Sequence, residues 1–252
     1  MIKTNSIKTS FIGSQGNRLD ARLELPSGEP KTFIIFSHCF TCTKDIITTY
    51  RSSRFLAQKG FAVLRFDFSG LGASTGDFSN CNFTTTIEDI NAAICYLTDH
   101  YSAPSVLIGH SLGGTSSLAA AVNNDGIKKV ITIASPSQPA HVLHHFSHAL
   151  TMLEQNIPSS FEVAGVFYDI NPQFVDDVRS WDMQAQLSQL NKPVLIFKVE
   201  NDALVNAENA DEIQQWVQGE TKLIKLKNTD HLLTNKEVNM AVIQSIVDWL
   251  EK

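Results

Sequence analysis

The stretch Val106-Leu107-Ile108-Gly109-His110-Ser111-Leu112-Gly113-Gly114 decides how this chain folds. Val106 to Ile108 is a short apolar run of the length of a buried strand, and the residues after Ser111 (Gly113, Gly114, then Thr115 to Ala121) are small and helix-compatible. A strand running through Gly-x-Ser-x-Gly into a helix is the context in which this motif places a serine on a sharp turn above a sheet. The reason is steric. Strand and helix can approach so closely only if the residues two before and two after the serine are small. The helix start also offers a positive dipole and free N–H groups. Gly-x-Ser-x-Gly arises by chance in many chains; the flanking strand and helix give it weight here.

Working outward, apolar runs and helical patterns alternate. Ile7–Ile12 and Leu19–Leu25 flank a Gly-containing turn and read as an antiparallel hairpin. Phe33–Phe36, Ala62–Phe66, Lys129–Ala134, Val194–Val199 and Leu223–Leu226 read as further strands. Helices are expected from Asp45, acting as a cap, to about Lys59, then over Thr84–His100, Ser111–Asn123, Asn206–Trp216 and Lys236–Leu250. Such alternation implies right-handed parallel crossovers, hence an α/β fold: a mostly parallel sheet of about eight strands with helices on both faces. Residues 1–252 read as a single domain. The roughly sixty residues between Ala134 and Val194 exceed ordinary connection lengths. They are expected to form a cap insertion (136–190) that opens with one helix from Pro139 to Gln155 and has no buried strand.

A serine needs a base and an orienting carboxylate to act as a nucleophile. In this topology they arrive later in the chain, at the ends of subsequent strands. Asp202 follows the Val194–Val199 run and His231 follows the Leu223–Leu226 run, so both emerge at the same sheet edge as Ser111. Glu200 is the competing carboxylate. The backbone N–H groups of Leu112 and Phe40 are the expected oxyanion donors, Phe40 lying in the loop Ser37-His38-Cys39-Phe40-Thr41-Cys42. His38 reads as a hydrogen-bonding residue of that loop. The Cys39/Cys42 pair is a C-x-x-C without a second metal-binding pair or a thioredoxin-like surrounding, and reads as small residues packing a tight loop. Asp67-Phe68-Ser69-Gly70-Leu71-Gly72 lacks the ending of a phosphate loop and reads as a rim loop. In the cap, His141, His144, His145 and His148 have the spacing of one helical face; they are expected to form a polar stripe rather than a metal site, having no carboxylate or cysteine in register. Phe40, His110, Phe146, Phe167 and Trp181 are expected to line an apolar substrate pocket.

Composition narrows the partners. The 252 residues carry a net charge of -6, with 18% charged and 43% hydrophobic residues. A chain of this length buries about three-quarters of its unfolded surface and needs no disulfide or metal staples. Net acidity without a Lys/Arg cluster argues against nucleic acid and anionic membranes. No apolar run reaches the roughly 18 residues of a membrane span. The start of the chain lacks a signal-peptide core, and four cysteines are too few for a secreted framework, so a cytoplasmic protein is expected. The partners expected are a small-molecule ester and, as one option for assembly, a second copy of the chain.

Together these residues resemble the α/β-hydrolase superfamily over nearly the whole chain. His38–Cys42 with Lys44-Asp45, Phe66–Gly72, Gly109–Gly114, Pro139–Val142 and Asp230–Leu233 are similar to the hydrolase half of proteins that fuse this fold to an OsmC-type peroxide-reductase domain. The sequence stops at Lys252, so no peroxide-reducing role is expected of it. The resemblance implies a serine hydrolase. The expected substrate is a small carboxylic ester, with short or aryl acyl groups, cleaved through an acyl-enzyme without metal or cofactor. Amide, thioester or C–C bond cleavage on the same triad, and a non-catalytic binding module, are the alternatives.

Overall fold

The computed structural model describes residues 4–252. The chain opens with the antiparallel pair β1 (Asn5–Ile12) and β2 (Arg18–Leu25). It continues through β3 (Phe33–Ser37), α1 (Ile47–Gln58), β4 (Ala62–Phe66), α2 (Phe83–His100), β5 (Val106–His110), α3 (Leu112–Val122) and β6 (Lys129–Ile133). An excursion follows: a 3-10 segment (Pro139–Phe146), α4 (Ser147–Glu154), the hairpin β7 (Ser159–Val163) and β8 (Val166–Ile170), then α5 (Gln173–Ser180) and α6 (Met183–Leu187). The chain returns through β9 (Val194–Val199), α7 (Glu208–Trp216), β10 (Thr221–Leu226) and α8 (Lys236–Leu250).

Eight strands form one sheet in the order β1-β2-β4-β3-β5-β6-β9-β10. Every pairing from β4 to β10 is parallel; the pairings β1–β2 and β2–β4 are antiparallel, so only β2 runs against the rest. Side chains alternate along each inner strand, so a continuous apolar run feeds two cores. Leu107 joins Ile35, Leu64 and Val130 against α2, α3 and the cap. Its neighbours Val106 and Ile108 join Ile34, Ile131, Leu195 and Ile246 on the opposite face, under α1 and α8. Residues of α3 from Leu112 to Ala121 are buried on all sides, which is why its sequence is small and apolar rather than amphipathic. The loops after β3, β5, β9 and β10 therefore open at one edge of the sheet.

Three local expectations are corrected. Asp45 does not cap α1, whose N-cap is Ile46 with no side-chain bond; Lys44 and Arg65 both pair with the Asp45 carboxylate and hold it elsewhere. The single helix over Pro139–Gln155 is broken at Phe146 (φ −135°, ψ 42°). There the chain turns to bury the Phe146 ring against Phe161, 4.8 Å away. The cap also contains strands, because Ala164 and Gly165 (φ 51° and 81°) form the two-residue left-handed turn that favours a hairpin. That hairpin was hard to read. Its strands have five residues each, and only Phe161 and Ile170 are buried.

Candidate active site

Ser111 sits between β5 and α3 with φ 54° and ψ −130°, a conformation that a side-chain-bearing residue adopts only under constraint. Two bonds hold it: Ser111 N–H donates to Ile133 O (2.8 Å), and Gly114 N–H donates to Ser111 O (2.8 Å). The glycines make room. A Cβ on Gly109 would overlap the Gly113 carbonyl, and a Cβ on Gly113 would overlap the His38 carbonyl. The second overlap shows that the loop after β3 lies directly against the start of α3.

The loop after β9 brings Asp202, not Glu200, to His231. Asp202 Oδ2 lies 2.7 Å from His231 Nδ1. Asp202 Oδ1 accepts from the N–H groups of Leu204 (2.8 Å) and Val205 (3.1 Å). Burial on its own would raise the Asp202 carboxyl, but the His231 contact and these two amides bring it below the ordinary value. A carboxylate only accepts, so His231 Nδ1 carries hydrogen and the neutral ring keeps Nε2 as an acceptor. Glu200 points away, its Oε2 3.8 Å from Lys227 Nζ. Ser111 is 8% exposed, and its Oγ bonds to no group among the described residues, His231 included. In substrate-free hydrolases this contact is commonly loose and tightens in the Michaelis complex.

Neither Phe40 N–H nor Leu112 N–H donates within the described residues, and both residues line one cleft. The Phe40 loop is built to hold still. His38 is buried, with Nδ1 donating to Cys39 O (2.8 Å) and Nε2 accepting from Phe68 N–H (3.2 Å). Here the reading of Cys39 and Cys42 is corrected: the two sulfurs are joined as a disulfide that closes a small ring around Phe40 and Thr41. Sequence reasoning also missed the charges behind this loop. Lys44 Nζ is buried between Asp20 Oδ2 (2.9 Å) and Asp67 Oδ2 (2.8 Å), and Lys44 N–H donates to Asp67 Oδ1 (2.6 Å). The same Asp67 carboxylate accepts from Ala73 N–H (2.9 Å), tying the loop after β3 to the loop after β4.

A small cleft opens beside Phe40 and Leu112, walled by Phe68, Leu71, Phe78 and Phe174, with Asn82, Thr85 and Asp89 also on its lining. Phe40 is part of this wall, and Phe146 backs it (6.2 Å between rings). The other three pocket expectations are corrected. Phe167 is 72% exposed on the outer side of the cap hairpin. Trp181 packs edge-on against Phe83 (5.2 Å), its Nε1–H bonded to Thr84. His110 is wholly buried and turned toward the His231 backbone. Phe78 and Phe174 take their places, and only long-range packing reveals them. The cap histidines do not share one face either, since His148 lies on α4 and the others on the 3-10 segment. His141 Nε2 donates to Leu204 O (2.9 Å), beside the Asp202 loop. Among the described residues no cluster of three or more potential metal ligands occurs.

The arrangement matches known proteins. The family described as Hydrolase_4, Serine aminopeptidase, S33, matches residues 28–175, more than half of the chain. The esterase domain of a Rhodothermus marinus protein superposes with a TM-score of 0.77 at 32% identity, covering 98% of each chain. Est1E from Butyrivibrio proteoclasticus, solved with ferulic acid, has a TM-score of 0.81 at 23% identity over 97% of this chain and 100% of its own, a likeness of fold. The mitochondrial palmitoyl-protein thioesterase ABHD10 of Mus musculus is 25% identical over 229 residues, 87% of this chain and 75% of that protein. The Homo sapiens protein of that name is 24% identical, and the match spans 66% of its length. With a serine elbow above an eight-stranded, mostly parallel sheet and the matched segment running from the loop before β3 into the cap, the chain belongs to the serine aminopeptidase S33 family of α/β-hydrolase serine hydrolases.

Proposed function

We propose that this hydrolase cleaves carboxylic esters through an acyl-enzyme on Ser111. The observation that carries the reading is the 2.7 Å Asp202–His231 contact at the sheet edge where the strained Ser111 emerges. In this reading His231 Nε2 takes the proton as Ser111 Oγ attacks the acyl carbon, and later returns it to the leaving alcohol. Asp202 holds the tautomer and stabilises the imidazolium. The amides of Phe40 and Leu112 receive the oxyanion. A water activated by His231 then releases the acid. The cleft beside Phe40 and Leu112 is small and its phenylalanine wall is apolar, which suits a short aliphatic or an aryl acyl group.

Thioester cleavage is the second reading. The machinery serves both bonds, and the 25%-identical mouse relative is named as a thioesterase. Matched p-nitrophenyl esters and acyl thioesters of rising chain length distinguish the two by kcat/KM. The ester reading expects the higher values on short and aryl oxygen esters, and loses to the thioester reading if long-chain thioesters lead. Ser111→Ala is expected to abolish turnover and fluorophosphonate labelling while the protein stays folded. Hydrolysis by that variant at the wild-type rate would remove Ser111 as the nucleophile.

A further inference from the structure

His110 stands between the loops that carry Ser111 and His231. It ends β5, immediately before Ser111, and its side chain is fully buried. Its Nε2 lies 2.7 Å from the backbone carbonyl oxygen of His231, and the two rings are 4.9 Å apart between centroids. A carbonyl only accepts, so His110 Nε2 carries the hydrogen. His110 Nδ1 is then an unprotonated acceptor, and it has no partner in its buried setting. Burial first, and the neighbouring His231 second, push the His110 ring down to about 3. The next carbonyl of the same loop, Leu232 O, accepts from Thr48 Oγ1 of α1. Leu233, at φ 50°, completes a turn whose N–H donates to Asp230 O (3.1 Å).

We propose that His110 is a positioning residue: a buried Nε2–H donor that fixes the His231 backbone, and with it the imidazole, over Ser111. The proposal rests on the ester-hydrolase reading above. The residue next to the nucleophile thereby sets where the base stands, across 121 positions of sequence. Its side chain has no exposed surface and does not line the cleft, so it is not placed to touch substrate. An apolar residue at 110 would fill the space but leave the His231 carbonyl without its donor. Asparagine is too short to reach, whereas the glutamine amide nitrogen sits about where imidazole Nε2 does.

The test compares His110→Gln, His110→Asn and His110→Leu in the full chain, with Ser111→Ala in parallel, using a p-nitrophenyl ester. Misplacing a reacting group by about 1 Å costs up to about 100-fold, so Asn and Leu are expected to lower kcat by about 10- to 100-fold with KM within about twofold. Gln is expected to restore kcat to within about threefold of the wild type, since it restores the single hydrogen bond at issue. If the Leu variant fails to fold, the Gln–Asn contrast between two polar side chains decides alone. The proposal is overturned if Asn keeps the wild-type kcat, if Gln is as damaged as Asn, or if the loss falls on KM. Turnover by Ser111→Ala at the wild-type rate would instead remove Ser111 as the nucleophile and overturn the proposal with it, since there would be no Ser111 attack for His231 to be positioned for; the ranking of the 110 variants distinguishes the two failures.

Discussion

At the scale of single residues, the choice between two carboxylates has a measurable consequence. Asp202→Asn keeps the shape of the side chain but removes the acceptor that fixes the His231 tautomer. It is expected to lower kcat by at least about 100-fold, less than the roughly 10⁴ of the serine-protease example because Glu200 lies nearby. Glu200→Gln is expected to stay within about threefold, since loss of a largely exposed ion pair has little effect. The reverse ranking would move the carboxylate role two residues upstream. Ser111, Asp202 and His231 were legible because each follows a strand whose apolar run is unmistakable, and strand ends share an edge. The pocket side chains were not. Phe167 and Phe174 look alike in sequence, and which one turns inward depends on the hairpin and α5, neither of which has a strong local signature.

At the scale of elements, the loop after β3 joins three jobs. Its disulfide encloses Phe40, its Lys44 anchors it to β2 and to the loop after β4, and Thr41 O accepts from Tyr168 of the cap hairpin (3.1 Å). Opening a ring this short adds little entropy to the unfolded chain, about 2 kcal/mol or less. Cys39→Ser/Cys42→Ser, or treatment with a dithiol, is therefore expected to lower Tm only slightly. It should lower kcat by about 10-fold, less than the about 100- to 1,000-fold that complete removal of an oxyanion donor costs, because the amide is loosened and not deleted. Equal kcat for the oxidised and reduced protein would show that the ring does not hold the donor. A C-x-x-C alone cannot announce this bond. Its geometry depends on Thr41 at φ 56°, a conformation that nothing in the residue types requires. The broken helix before α4 was illegible for a similar reason: its apolar spacing is helical, and tertiary burial of Phe146 overrides it.

At the scale of the whole molecule, the buried charges between β2, β4 and the active-site loop link stability to pH. Removing one partner of such a group leaves the others uncompensated, so Lys44→Met is expected to cost about 3 kcal/mol or more. Burial alone would raise the Asp20 and Asp45 carboxyls above 3.8, but Lys44 for the first and Arg65 for the second hold them below it. Burial would lower Lys44 below 10.5, yet Asp67 and Asp20 hold it above. The sign follows for each. The carboxylates' contribution is present above 3.8 and is lost as pH falls through their lowered values. That of Lys44 is present below 10.5 and is lost as pH rises through its raised value. The Tm difference between wild type and Lys44→Met should thus be flat across the middle range and shrink at both extremes. A difference that grew toward acid would contradict the assignment. The sheet order was legible at this scale, but the network was not, because its members come from three separate strands and loops.

The glycines of the elbow also constrain how such a molecule can change over generations. Each of Gly109, Gly113 and Gly114 faces backbone or Ser135 where a methyl group would stand, so the nucleophile's surroundings admit almost no heritable variation. The cap is the opposite case. Val166 and Phe167 lie exposed on a hairpin that pairs only with itself, one turn of chain from the phenylalanines of the cleft. New substrates would be acquired by lineages that rewrite the cap while inheriting the elbow unaltered. A random library restricted to the exposed positions of the hairpin and to Phe174 should accordingly yield changed acyl preferences at intact folding, whereas one restricted to 109–114 should yield mostly inactive clones.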